Sequence, residues 1–157
     1  MGVEIERKFL LKGDEWRAMG KPVFYRQGYL NHSKERTIRV RMAGEKGYLT
    51  LKGISKGAKR MEYEYEIPIE DCRSILNELV ETPIIEKNRY LVEYTGLAWE
   101  IDEFFGENQG LILAEVELES EDQKIELPDW IGEEVTHDPR YYNSSLVRHP
   151  YTTWGIK

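Results

Sequence analysis

Period-two alternation dominates this chain, and on several alternating segments one face carries charges of a single sign. Alternate residues of a β-strand point the same way. Glu4, Glu6 and Lys8 therefore share a face in the first segment, opposite Ile5 and Phe9. Arg39 and Arg41 share one against Ile38, Val40 and Met42, and Lys52 stands against Leu49 and Leu51. Glu62, Glu64 and Glu66 oppose Tyr63, Tyr65 and Ile67. Lys87 and Arg89 form the next basic pair, Asp102 opposes Trp99 and Ile101, and Glu115 and Glu117 oppose Ala114, Val116 and Leu118. Like charges at this spacing lie about 6.7 Å apart. Their repulsion costs roughly 0.6 kcal/mol in water but about 2–3 kcal/mol at an effective dielectric near 20. Any one strand, taken alone, reads more simply as the solvated face of an ordinary antiparallel sheet. The set reads differently. Segregated acidic and basic doublets facing one enclosed space demand counter-ions, and a divalent cation with a polyphosphate supplies both signs.

The alternation predicts strands over 3–11, 22–31, 36–42, 47–53, 61–68, 84–94, 98–104 and 111–119. A glycine-bearing loop at 43–47 joins the third and fourth, and Thr95-Gly96-Leu97 separates the sixth and seventh. The spacing of Cys72, Ile75, Leu76, Leu79 and Val80 predicts a helix over 69–81, ended by Pro83. A helical turn is expected at 14–19, a capped helix from Ser120 through Glu126, and a helical tail over 139–147. Residues 54–60 form a basic loop suited to steering polyanions, or simply to solvation. The fold class is α+β, mainly antiparallel β: a closed eight-stranded barrel with a few small helices packed outside, able to hold one small ligand. No repeat or linker divides residues 1–157, which are expected to form one domain.

The net charge of −7 and pI near 5.1 argue against a nucleic-acid or anionic-membrane partner, although a basic pocket inside an acidic protein remains compatible. Cys72 is the single cysteine, which excludes an internal disulfide and a cysteine-based zinc site. The charged start MGVEIERKFL lacks a secretory core, Glu6 stands where a myristoylation signal needs Ser or Thr, and no apolar run reaches ~20 residues. A cytoplasmic protein with no membrane partner is expected, and a homodimer is compatible with the sequence.

Glu4-Ile5-Glu6-Arg7-Lys8 resembles the N-terminal ExExK signature of the CYTH superfamily, the triphosphate tunnel metalloenzymes. The resemblance continues in register through Arg39-Val40-Arg41, Leu51-Lys52, Arg60-x-Glu62-x-Glu64, Lys87-x-Arg89, Asp102 and Glu115-x-Glu117, covering nearly the whole chain. It implies a closed eight-stranded tunnel that binds a small-molecule triphosphate with Mg²⁺ or Mn²⁺. It places Lys8, Arg39, Arg41, Lys52, Lys87 and Arg89 around the phosphates, and Glu4, Glu6, Glu62, Glu64, Asp102, Glu115 and Glu117 around the metal. Of Glu62 and Glu64, one is free to hold basic side chains instead. The catalytic candidates are Glu115 and Glu117, which would orient water, with Lys8 and Tyr29. Lys8 is either a phosphate ligand or a proton carrier; Tyr29 either sits at the tunnel mouth, partners Lys8 or packs the barrel. Members include inorganic, thiamine and RNA triphosphatases and one class of adenylate cyclase. The His-Phe pair of some cyclases is missing, because only Met1, Gly2 and Val3 precede Glu4. The chain most resembles small bacterial inorganic triphosphatases, metal-dependent hydrolases that yield pyrophosphate and phosphate. A cyclase and a non-catalytic triphosphate-binding module are the alternatives. Residues 138–143 resemble a C-terminal stretch of bacterial members, in which Arg140 closes the tunnel or Asp138 and Pro139 start a helix. His32 and His137 read as surface residues, Trp130 and Trp154 as packing residues.

Overall fold

The structure is a computed structural model that describes residues 2–31, 33 and 35–155; His32 lies outside them. The described strands are β1 (Val3–Leu11), β2 (Val23–Tyr29), β3 (Arg36–Ala43), β4 (Lys46–Gly53), β5 (Lys59–Ile67), β6 (Ile85–Tyr94), β7 (Leu97–Phe104), β8 (Ile112–Glu117) and β9 (Ile131–Glu134). Helices α1 (Ile69–Glu78) and α2 (Asn143–Arg148) are joined by 3-10 turns at Glu15–Ala18, Gly106–Asn108, Pro139–Tyr141 and Tyr151–Thr153.

Eight strands close an antiparallel barrel in the order β1-β5-β4-β3-β2-β6-β7-β8, with β8 returning to β1. One edge of β1 is shared: Val3, Glu4 and Ile5 face β5, whereas Phe9 and Leu11 face β9. That division is where the ninth strand enters. It is four residues long and carries no alternating pattern, so periodicity did not reveal it. Two-residue turns close the sharp hairpins. Gly44 at φ 59° lies between β3 and β4, and Thr95 and Gly96 at φ 48° and 80° lie between β6 and β7, the left-handed backbone such turns require.

The largest apolar cluster lies against the outer face of the wall. Phe9, Trp99, Ile101, Ala114 and Val116 point outward from β1, β7 and β8 and pack on Trp16 and Trp130. Trp130 thus packs as expected, at 5.9 Å from Trp99 in edge contact. α1 lays Cys72 and Leu76 over Val40. It approaches so closely that a Cβ on Gly47 would stand 2.6 Å from the Cβ of Cys72.

Two helical expectations change. The 69–81 helix stops at Glu78, and Leu79 is 65% exposed, so the apolar spacing overran the helix by a turn. Residues 120–126 form a bend and turn through Asp122 followed by irregular chain, not a helix: Ser120 Oγ donates to Asp122, and Gln123 Oε1 accepts from the Glu119 amide. No helix among the described residues is long and apolar enough to cross a membrane.

Candidate functional site

The inward faces change character along the barrel axis. Leu10 of β1, Ile85 of β6, Phe104 of β7 and Leu113 of β8 pack with Tyr141, Leu146 and Val147, closing one end with apolar side chains. One step further along the same faces stand Lys8, Lys87, Asp102 and Glu115, and beyond them Glu6, Arg89, Glu100 and Glu117. The register aligns β1 with β8, with Leu10 opposite Leu113, Lys8 opposite Glu115 and Glu6 opposite Glu117. β7 is offset by one step, so that Asp102 stands opposite Arg89 and Leu113, and Glu100 opposite Glu115. The charged level encloses a cavity of about 220 Å³, lined by every predicted site residue except Asp102.

Carboxylates from β1, β5 and β8 occupy one side. Lys52 Nζ lies 3.5 Å from Glu4 and 3.3 Å from Glu62, and Lys8 Nζ lies 3.8 Å from Glu115. Burial, followed by the neighbouring charges of Glu115 and Glu4, pushes the Glu6 carboxyl well above the ordinary glutamate range. Burial also raises Glu4, against the pull of Lys52. Burial opposes ionisation of Glu115 too, but Lys8, a hydrogen bond from Glu6 and Arg89 outweigh it and hold it ionised. Glu117 is raised by burial and by the charges of Glu62 and Glu100.

Guanidinium and ammonium groups of β3 and β6 face them. Glu64 Oε2 lies 3.3 Å from Nη2 of Arg39 and of Arg41, and accepts a 2.9 Å hydrogen bond from Thr50. Thr50 is the cross-strand partner of both Arg39 and Glu64, so the register itself assembles this group. Glu64 therefore holds the arginine pair, whereas Glu62 stands with the carboxylates. The Nε atoms of Arg39 and Arg41 are buried without hydrogen-bond partners among the described residues. Burial, then repulsion from Arg39 and Arg89, lowers Arg41 to about 10.

Asp102 departs from the acidic set that the resemblance implied. It is 2% exposed and, covered by Arg89 and Lys87, does not line the cavity. Arg89 donates to its two oxygens at 2.7 and 2.8 Å, and Lys87 Nζ approaches at 2.8 Å. Burial opposes its charge, but Arg89 and Lys87 keep it ionised below the usual aspartate range. Its lone pairs are committed to two cations, which makes it their anchor. Burial lowers Lys87 to about 7 despite Asp102, whereas Asp102 and Glu100 hold Arg89 well above the ordinary arginine value against burial.

The Tyr29 hydroxyl accepts from Gln27, and Lys8 Nζ donates to the Tyr141 carbonyl at 3.1 Å. Arg140 does not close the tunnel: its side chain is 62% exposed, chelates Asp138 and lies over the rings of Tyr141 and Trp154. The alternative for that stretch holds, since the Asp138 carboxylate caps the Arg140 amide of the 3-10 turn begun by Pro139. Sequence reasoning missed several lining residues. Glu100 shares the face of Asp102 and reaches Arg89 at 3.4 Å, so alternation alone could have found it. Arg60, whose Nε donates to the Gly53 carbonyl, was part of the recognised motif but not of the ligand set. Thr136 follows β9 with no periodic signal. Tyr142 and Asn143, although within the expected helical tail and the 138–143 stretch, were not singled out because nothing in the sequence turns them toward the cavity.

Residues 2–151 match the CYTH domain family. The chain belongs to the CYTH family. An inorganic triphosphatase of Acetivibrio thermocellus is 54% identical over 151 residues, 96% of this chain and 97% of the relative. An inorganic triphosphatase of Nitrosomonas europaea is 38% identical over 149 residues, 92% of this chain and 96% of the relative. The crystal structure of an inorganic triphosphatase superposes with a TM-score of 0.68 at 36% identity, covering 94% of this chain and 95% of that one.

The carboxylates suit the divalent metal that a CYTH triphosphatase requires. They offer hard oxygen donors, and burial together with the neighbouring carboxylates raises Glu6 and Glu4 against the pull of Lys52. Among the described residues they do not converge into a finished coordination shell. Instead Lys52, Lys8 and Arg89 draw them apart.

Proposed function

We propose that this chain is a metal-dependent hydrolase that cleaves inorganic triphosphate to pyrophosphate and phosphate. The observation that carries this reading is the small closed-ended cavity in which an acidic and a basic side face each other. The triphosphatase names of the relatives that align along almost its whole length support it. Arg39, Arg41, Lys52, Lys87 and Arg89 hold the phosphate oxygens and stabilise the departing pyrophosphate, a reaction that positioning and charge complementarity largely perform. Lys8 acts as a further phosphate ligand. Glu4, Glu6, Glu115 and Glu117, with Glu62 beside them, would hold Mg²⁺ or Mn²⁺. When bound, such a cation supplies positive charge against the phosphate oxygens and makes water more acidic. Glu115 and Glu117 orient the attacking water toward a terminal phosphorus, in line with the leaving group. Asp102 and Glu64 contribute by holding the cations in place.

Phosphate release should be screened over inorganic triphosphate, ATP, GTP, thiamine triphosphate and pyrophosphate, with Mg²⁺, with Mn²⁺ and with EDTA. Release from inorganic triphosphate that EDTA abolishes is expected. Tight binding without release, or formation of a cyclic nucleotide from ATP, would contradict the assignment.

A further inference from the structure

The closed end of the cavity has a floor built largely by the segment that follows β9. Tyr141, Leu146 and Val147 seal the barrel against Ile85, Phe104 and Leu113. Tyr142, Asn143 and Ser144 face the cavity above that seal. Two ammonium groups are tied to this floor: Lys8 Nζ donates to the Tyr141 carbonyl at 3.1 Å, and Lys87 Nζ donates to Asn143 Oδ1 at 2.9 Å. Gln27 Nε2 donates to the same Asn143 oxygen at 3.2 Å. Both lone pairs of that oxygen are therefore engaged, which fixes the plane and direction of the amide. The Asn143 amide nitrogen finds no acceptor among the described residues.

We propose that Asn143 determines specificity by recognising a free, unesterified terminal phosphoryl group at the closed end of the cavity. This rests on the triphosphatase reading and deepens it. A terminal phosphoryl carries three non-bridging oxygens, and here it meets two ammonium groups and an oriented neutral NH₂ donor. An ester substituent on that phosphorus would have to enter the space filled by Ile85, Phe104, Leu113 and Tyr141. The substrate class is accordingly a linear polyphosphate with at least one bare end, inserted bare end first. A triphosphate esterified at both ends is excluded by the floor. A triphosphate esterified at one end is admitted only with its organic group at the mouth.

Asn143→Asp and Asn143→Ala test this together. The aspartate keeps an acceptor for Lys87 and Gln27, which preserves the fold, while replacing the NH₂ donor with a negative charge. Calorimetric binding of inorganic triphosphate in EDTA and KM from phosphate release with metal are the two readouts. Both variants should bind triphosphate about 10- to 100-fold more weakly, as expected for loss of a hydrogen bond to a charged group. KM should rise in proportion, with a smaller change in kcat. Wild-type protein should not bind a dinucleoside triphosphate, whose two ends are both esterified. Unaltered triphosphate binding by Asn143→Asp, or wild-type binding of the dinucleoside triphosphate as tight as that of inorganic triphosphate, would overturn the proposal. A wild-type protein that releases no phosphate but loses binding on substitution would instead overturn the hydrolase reading and leave the recognition site standing.

Discussion

Two regions of the cavity wall use the same functional group in opposite ways. Where β1 meets β8, Glu4, Glu6 and Glu115 crowd together, and the protein supplies too little positive charge to settle all three: burial and mutual repulsion raise Glu6 and Glu4, while Lys8 and Arg89 hold Glu115 ionised. Where β6 meets β7, Asp102 is equally enclosed yet fully ionised, because Arg89 and Lys87 take its oxygens. A carboxylate with surplus charge is available to a cation from outside, whereas one already neutralised by the chain is a scaffold. Charge doublets in a sequence do not distinguish the two; only the local balance of partners does.

The sharpest separation between these regions should come from Glu6→Gln and Glu115→Gln. Turnover should fall beyond the roughly 10–100-fold that loss of an outer-shell partner of a metal brings. The metal-free Tm of Glu6→Gln should hold or rise, since a group that burial and its neighbours keep from ionising has gone. That of Glu115→Gln should fall, because Lys8 and Arg89 lose a buried partner. Asp102→Asn should reverse that pattern: breaking a buried pair costs about 3–5 kcal/mol. A clear drop in Tm should accompany weaker triphosphate binding and undiminished metal affinity. Glu64→Gln is milder, because the Glu64 side chain is 35% exposed and the amide oxygen still offers Arg39, Arg41 and Thr50 an acceptor. An increase of up to about 10-fold in KM is expected, consistent with the ~1 kcal/mol ceiling for screened pairs.

The smallest effect concerns pH. Lys87 is held near 7 by burial, below its unfolded value. Folding therefore disfavours its charged form: the penalty is full below about 7 and fades as pH rises toward the unfolded value. Its ammonium group is lost as pH rises through 7. Metal-free triphosphate binding should weaken from pH 6 to pH 8, and Lys87→Met should flatten that slope.

Most of this architecture could be read from alternation, because most wall strands bury an apolar face and show the cavity the other; β5 alternates as clearly, although Tyr63 and Tyr65 on its outer face are exposed. Even the sealed end left a trace, in Leu10, Ile85, Phe104 and Leu113, which continue the charged faces as apolar residues. It went unread because an apolar residue at the end of a strand is ordinary by itself. Assigning Asp102 and Glu64 required register: opposite Asp102 stands Arg89, and opposite Glu64 stands Thr50, and strand pairing is not written in any one segment. β9, and the place of Tyr142 and Asn143 at the cavity floor within the expected helical tail, were not visible for another reason. Their positions are set by tertiary packing against β1 and the barrel end, with no local period.

Binding of Mn²⁺ to the substrate-free protein, followed by electron paramagnetic resonance, addresses the division of labour among the carboxylates most directly. Asp102→Asn should retain the wild-type affinity, and Glu6→Gln should lose it. Retention by Glu6→Gln together with loss in Asp102→Asn would contradict the assignment of the two regions.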